Sequence, residues 1–165
     1  MPSINGKLAT VRIIAIGLLM GSVVTGGVVL GYQLMAPAVP MVWQPNLLGL
    51  IFLGVGLLVL MNSFIVPRIA RAFQLRSQVD PHLERANHEM TPDALNAALA
   101  VYQSVTLITL AMTEGSVVIG CLAFAVAGWY GNLAAASLAL IALLFRFPTR
   151  AGIDSFLRNA LSGHG

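Results

Sequence analysis

Long apolar runs separated by short polar connections dominate the chain. Four runs stand out, at 13–35, 47–66, 105–127 and 129–147. A bilayer hydrocarbon core of about 30 Å takes about 20 apolar residues in a helix. The pattern therefore predicts four transmembrane helices. The fourth is the shortest, apolar over 133–145 but for Ser137, and must stand nearly upright or let its ends snorkel. The third is predicted to begin before the membrane. Thr91-Pro92-Asp93 places a capping hydroxyl, a proline at the first helical position and an acid near the positive end of the helix dipole. A helix from Pro92 to Gly128 would run about 55 Å at about 1.5 Å per residue, well beyond the bilayer. Pro67 is expected to kink or interrupt the second run, and Asp80-Pro81 to stop whatever helix precedes it. The predicted fold is all-α: an integral membrane four-helix bundle forming a single domain over 1–165, with a helical cytoplasmic hairpin at 67–93.

Composition sharpens this picture. Of 165 residues, 58% are apolar and 9% charged, with a mean hydropathy of +0.85, against about 25% charged residues in an ordinary soluble domain. A disordered chain, a nucleic-acid-binding domain and a typical cytosolic enzyme are excluded. The net charge of +3 comes from nine basic and six acidic residues. The connections 36–46 and 128–132 carry no charge, whereas the basic residues fall on the alternate side. Lys7 and Arg12 precede the first run; Arg68, Arg71, Arg76 and Arg85 lie between the second and third; Arg146, Arg150 and Arg158 follow the fourth. The positive-inside rule then puts both termini and the central hairpin in the cytoplasm. A bacterial inner membrane is the expected location. Trp43, Trp129 and Tyr130 mark the opposite interface, where aromatic rings prefer to sit. The first run is longer than a signal-peptide core of roughly 7–15 residues and is read as a retained span.

Candidate chemistry is sparse. Glu114 lies near the middle of the third run, and a carboxylate at that depth is costly and functional by default. It is expected to be protonated at rest, since no Lys, Arg or His falls within the lipid-embedded part of any run. Three roles fit it: a proton or ion site, a structural hydrogen bond, or a contact with another subunit. Thr113 and Ser116 flank it, and Ala111, Glu114, Val118, Cys121 and Ala125 share one helical face. Glu114, Thr113 and Cys121 are the candidate proton, ion or partner site. Gly17/Gly21 and Gly27/Gly31 form GxxxG pairs and, with Gly115, are expected to permit close helix packing. Arg68, Arg71 and Arg76 are candidate lipid-headgroup anchors. His82, Glu84, His88 and Glu89 lack two further ligands at convincing spacing and read as a solvated polar turn, so no metal is expected. Cys121 is the single cysteine, which excludes an intramolecular disulfide. The spans contain no histidine for haem, and the chain has no HExxH, GxSxG or phosphate loop. No cofactor and no enzymatic activity are expected.

Short motifs recur in the same order in both halves: Gly21-Ser-Val-Val with Gly115-Ser-Val-Val, Trp43 with Trp129, and Phe64-Ile-Val-Pro67 with Phe145-Arg-Phe-Pro148. They point to a duplicated two-helix hairpin. A mid-membrane Glu114 followed by Gly115 in such a chain resembles the V-type proteolipid subunits of rotary ATPases, which would imply a proton- or sodium-carrying carboxylate. That family places its carboxylate in the second helix of a hairpin and its termini outside the cytoplasm, unlike the pattern here. Ala111-Met-Thr-Glu-Gly115 and Arg146-Phe-Pro-Thr149 resemble small bacterial four-span membrane proteins of unassigned function, which implies a topology and no mechanism. The expected function is that of a non-enzymatic subunit, scaffold or assembly partner of a membrane complex. Its partners would be the lipid bilayer and other membrane subunits or copies of itself, with no nucleic acid. The alternative is a proton- or cation-conducting element using Glu114.

Overall fold

The computed structural model describes residues 4–35, 39–85 and 91–162. It is all-helical. Helix α1 spans Ile4–Met35 and α2 spans Leu47–Gln74. A π-helical turn, Leu75–Val79, leads into α3, Asp80–Arg85. Then come α4, Pro92–Ala127, α5, Tyr130–Phe145, and α6, Arg150–Ser162. Three helical stretches are long and apolar enough to cross a membrane: Gly6–Met35, Leu47–His82 and Pro92–Ala127. Helix α5 has 16 residues, about 24 Å at 1.5 Å per residue, and by length alone falls short of a hydrocarbon core of about 30 Å.

Helix α4 starts where the Thr91 cap predicts. The Ala94 N–H donates to Thr91 Oγ1 at 3.2 Å, which satisfies one of the otherwise orphaned first-turn donors. An interruption at Pro67 and a stop at Asp80-Pro81 are not found. Helix α2 runs uninterrupted through Pro67, which is buried; proline is tolerated inside apolar helices whose neighbours restore the lost backbone partners. Nor does Asp80-Pro81 end the helix. The Asp80 N–H donates to the Leu75 carbonyl, closing the wider π turn, and Asp80 itself stays helical at φ −54°, ψ −43°. Pro81 then falls in the first turn of α3, where a missing N–H costs little.

The chain divides into two compact units: one of Met1–Ala15, Ile65–Thr109 and Phe147–Gly165, the other of Ile16–Phe64 and Leu110–Arg146. In the first unit, Val79, Ala94, Ala98, Val101 and Phe156 form one core cluster, and Leu8, Leu99 and Ile153 form another. Helix α6 is amphipathic. It buries Ile153 and Phe156 and exposes Asp154, Ser155, Arg158 and Asn159. Thr149 caps it, accepting from the Gly152 N–H at 3.2 Å. The Phe156 ring meets Tyr102 edge-on at 5.4 Å, and the Arg71 guanidinium lies 4.5 Å from its centroid. Lys7 Nζ donates to the Asn96 carbonyl and Arg12 Nε to that of Pro148, each at 3.2 Å.

In the second unit, Val117, Cys121, Ala136 and Ala139 form the core, with Val29, Leu60 and Leu140 packed on it. Gly120 allows α4 and α5 to touch: a Cβ there would lie 2.8 Å from the Ala136 Cβ. The two uncharged connections interlock. Val42 N–H donates to the Gly128 carbonyl at 2.9 Å, and Tyr130 N–H to that of Val42 at 3.3 Å. Trp43 stacks on Tyr130 at 4.5 Å, while Trp129 Nε1 donates to the Trp43 carbonyl at 3.1 Å. Gly128 makes the turn at φ +65°, where any Cβ would strike the Pro40 carbonyl oxygen.

Candidate functional site

The second unit holds only two residues with formal charge, Glu114 and Arg146. Both are half-buried. Glu114 points toward α1. Its Oε1 lies 3.2 Å from the position a Gly21 Cβ would take, so glycine leaves room there for the carboxyl. Among the described residues Glu114 makes neither a hydrogen bond nor an ion pair. The expected face of α4 is turned by about one residue. The buried stripe is Leu110, Thr113, Val117, Gly120 and Phe124, with Thr113 and Phe124 fully enclosed. Of the expected face, Cys121 is buried, Ala111 is exposed, and Glu114, Val118 and Ala125 are half-covered at the edge of that stripe.

Arg146 lies at the C-terminal end of α5, where its backbone N–H closes the last turn. Its Nη1 donates to Ser63 Oγ at 2.7 Å and to Thr113 Oγ1. One face of the guanidinium covers the Phe64 ring, 3.9 Å from the centroid, a favourable cation–π geometry. The Ser63 hydroxyl in turn donates to the Leu60 carbonyl at 2.6 Å. The sequence pattern assigned Arg146 only to the basic end of the fourth run. Its partners lie 83 and 33 residues away and have no local signature, although an arginine directly after an apolar run only just long enough to span is a recognisable cue.

The remaining candidates are dispersed. Cys121 is buried against α1, its Sγ 3.8 Å from where a Gly26 Cβ would lie. A Cβ on Gly17, Gly27, Gly31 or Gly115 would meet nothing within 4 Å. Closer approaches are made at Gly21, one of the predicted set, and at Gly49 and Gly120. Arg68 and Arg76 are exposed beside exposed Ile69 and Phe73, whereas Arg71 is engaged by Phe156. The side chain of Glu84 and all of His88 and Glu89 lie outside the described residues, among which no group of three metal-ligating side chains occurs.

Sequence reasoning did not single out the buried amides. Gln33 Nε2 donates to the Ala125 carbonyl at 2.6 Å, leaving its Oε1 unpartnered. Asn132 is enclosed, with both side-chain polar atoms unpartnered. It lines a cleft with Ser116, Gly120 and Gly56. A second groove of about 190 Å³ runs past Ser22, Gly26, Cys121 and Ala136. No family model, curated protein or solved structure matches the chain.

Proposed function

We propose that the chain is a small, non-enzymatic, polytopic membrane protein that serves as a subunit, scaffold or assembly partner of a larger membrane complex. It would cross a bacterial inner membrane four times as a helix bundle. Helix α5 is the short fourth span in this reading, and both termini face the cytoplasm. The uncovered surface of α1 and α2 carries the reading. Only 11% of the most apolar stretch of each is buried by the rest of the chain, against 50% for α4. On α1 that open surface includes Gly17, Gly27 and Gly31. In lipid, apolar residues alone do not drive helix association, and small residues that let backbones approach do. An open glycine face is therefore a natural seat for a partner helix. Purification in mild detergent, with mass spectrometry of what co-migrates, tests this. Recovery within a larger assembly is expected, and recovery as a lone monomer would sink the reading.

A second reading, a proton- or cation-conducting element, is favoured by one observation: the unpaired, half-buried Glu114 carboxyl beside Gly21. Proton flux in liposomes compares wild type with Glu114→Gln. On the subunit reading the two behave alike, and conduction abolished by the substitution would replace that reading with this one.

A further inference from the structure

Arg146 is the cation of the second unit, and its surroundings orient it without neutralising it. Ser63 and Thr113 are neutral acceptors for Nη1, and Phe64 covers one face. Glu114, the acid of the unit, turns toward Gly21 and forms no ion pair with it. The carbonyl end of α5 contributes only a partial negative charge. That is too little to balance a full charge in a low-dielectric setting.

Depth sharpens the problem. This step rests on the reading of α5 as the fourth span. Trp129 and Tyr130 begin the helix, and aromatic pairs of this kind settle at one interface. Sixteen residues carry the chain about 24 Å from there, roughly 6 Å short of the far edge of a 30 Å core. Arg146 thus ends its helix below the opposite headgroups. Bilayers answer a short span by thinning and an embedded arginine by admitting polar headgroups to it. With Nη1 committed, Nη2 and Nε form the free edge of a half-buried guanidinium, a fork that fits two phosphate oxygens.

We propose that Arg146, aimed by Ser63 and Thr113 and backed by Phe64, binds the phosphate group of a phospholipid drawn in at the end of α5. The lipid supplies the counter-charge that the second unit lacks, and the short helix creates the local thinning that delivers it. Arg68 and Arg76 are exposed and lack such an orienting set among the described residues, so they would meet headgroups without selecting one.

The test reconstitutes the full chain in vesicles of phosphatidylglycerol and phosphatidylcholine, extracts it, washes it in detergent and counts retained phospholipid by native mass spectrometry. Wild type is expected to hold one phospholipid, and Arg146→Gln to lose it by about ten-fold or more, as removal of a charge-assisted hydrogen-bonded pair implies. Arg146→Lys, which keeps the charge without the fork, should fall between. Ser63→Ala with Thr113→Val, which keeps the guanidinium, should weaken retention several-fold at unchanged helix content, so the outcome does not hang on the folding of Arg146→Gln. Arg68→Gln with Arg76→Gln should leave retention intact. Equal retention by wild type and Arg146→Gln, or displacement of the lipid by millimolar inorganic phosphate, overturns the proposal. The premise is read separately in a Cys121→Ser background. Gln44→Cys, Ser77→Cys and Ser155→Cys are labelled with a membrane-impermeant thiol reagent. Ser155→Cys reacting from the side of Ser77→Cys supports α5 as a span. Reaction from the side of Gln44→Cys removes the span and the proposal with it.

Discussion

At the scale of single residues, the decisive feature is contact distance. Gly120 and Gly27 both sit in apolar helix, and composition treats them alike. A side chain on Gly120 would drive into Ala136 of α5, whereas one on Gly27 would meet nothing. Overpacking a filled helix contact costs about 1–3 kcal/mol. Gly120→Leu should therefore lower the thermal midpoint of the detergent-solubilised protein clearly, and Gly27→Leu should leave it within error. Equal effects would mean that α4 and α5 do not meet at Gly120. The same logic separates Thr113 from Glu114. They are adjacent in sequence, but Thr113 is enclosed and holds Arg146, while Glu114 stays at the edge. Sequence reasoning placed both in one candidate site and centred it on Glu114, because an acid in an apolar run is visible without coordinates. A threonine acquires meaning only through what reaches it.

At the scale of helices, boundaries set by local chemistry were legible. Thr91-Pro92-Asp93 starts α4, and the uncharged, aromatic connections separate α1 from α2 and α4 from α5, because capping and turn preferences act over a few residues. Thr91→Ala should cost about 1 kcal/mol of stability. The check is a chemical-denaturation curve at unchanged slope, and an unaltered midpoint would show that the Thr91–Ala94 bond contributes nothing. Neither Pro67 nor Pro81 ends its helix, and the reason is physical. A proline removes one hydrogen bond, and packing can absorb that loss; at Pro81 the π turn absorbs it instead. Helix α6 escaped notice because its apolar positions, Ile153, Phe156 and Leu157, are few and isolated from the long runs. Its Thr149 cap and helical spacing were nonetheless present in the sequence.

At the scale of the whole molecule, the distribution of polar residues is the organising fact. Apart from Glu114 and Arg146, the residues with formal charge belong to the first unit, whose core is built by Leu8, Val79, Ala98, Leu99 and Phe156. The second unit leaves the glycine face of α1 open. If that face seats a partner helix, Gly27→Leu combined with Gly31→Leu should strip the co-purifying assembly while the isolated chain keeps its thermal midpoint. Loss of both together would indicate a folding defect instead, and retention of the assembly would move the partner to another surface.

What the sequence determined by itself follows from transfer free energies and local backbone preferences: an all-helical chain, the start of α4, and apolar runs of which three of the predicted four are long enough as helices to cross a bilayer. These depend on each residue and its near neighbours, so they need no knowledge of the fold. Only the tertiary structure decided which stripe of α4 is buried, which glycines touch another helix, and that Arg146 reaches Ser63 and Thr113. A helix turns about 100° per residue, so a shift of one position changes every neighbour a side chain meets. Periodicity in a run that is apolar nearly all round is too shallow to choose among those rotations. The choice is made by partners distant in sequence, when backbones close on glycine and a half-buried cation finds its acceptors.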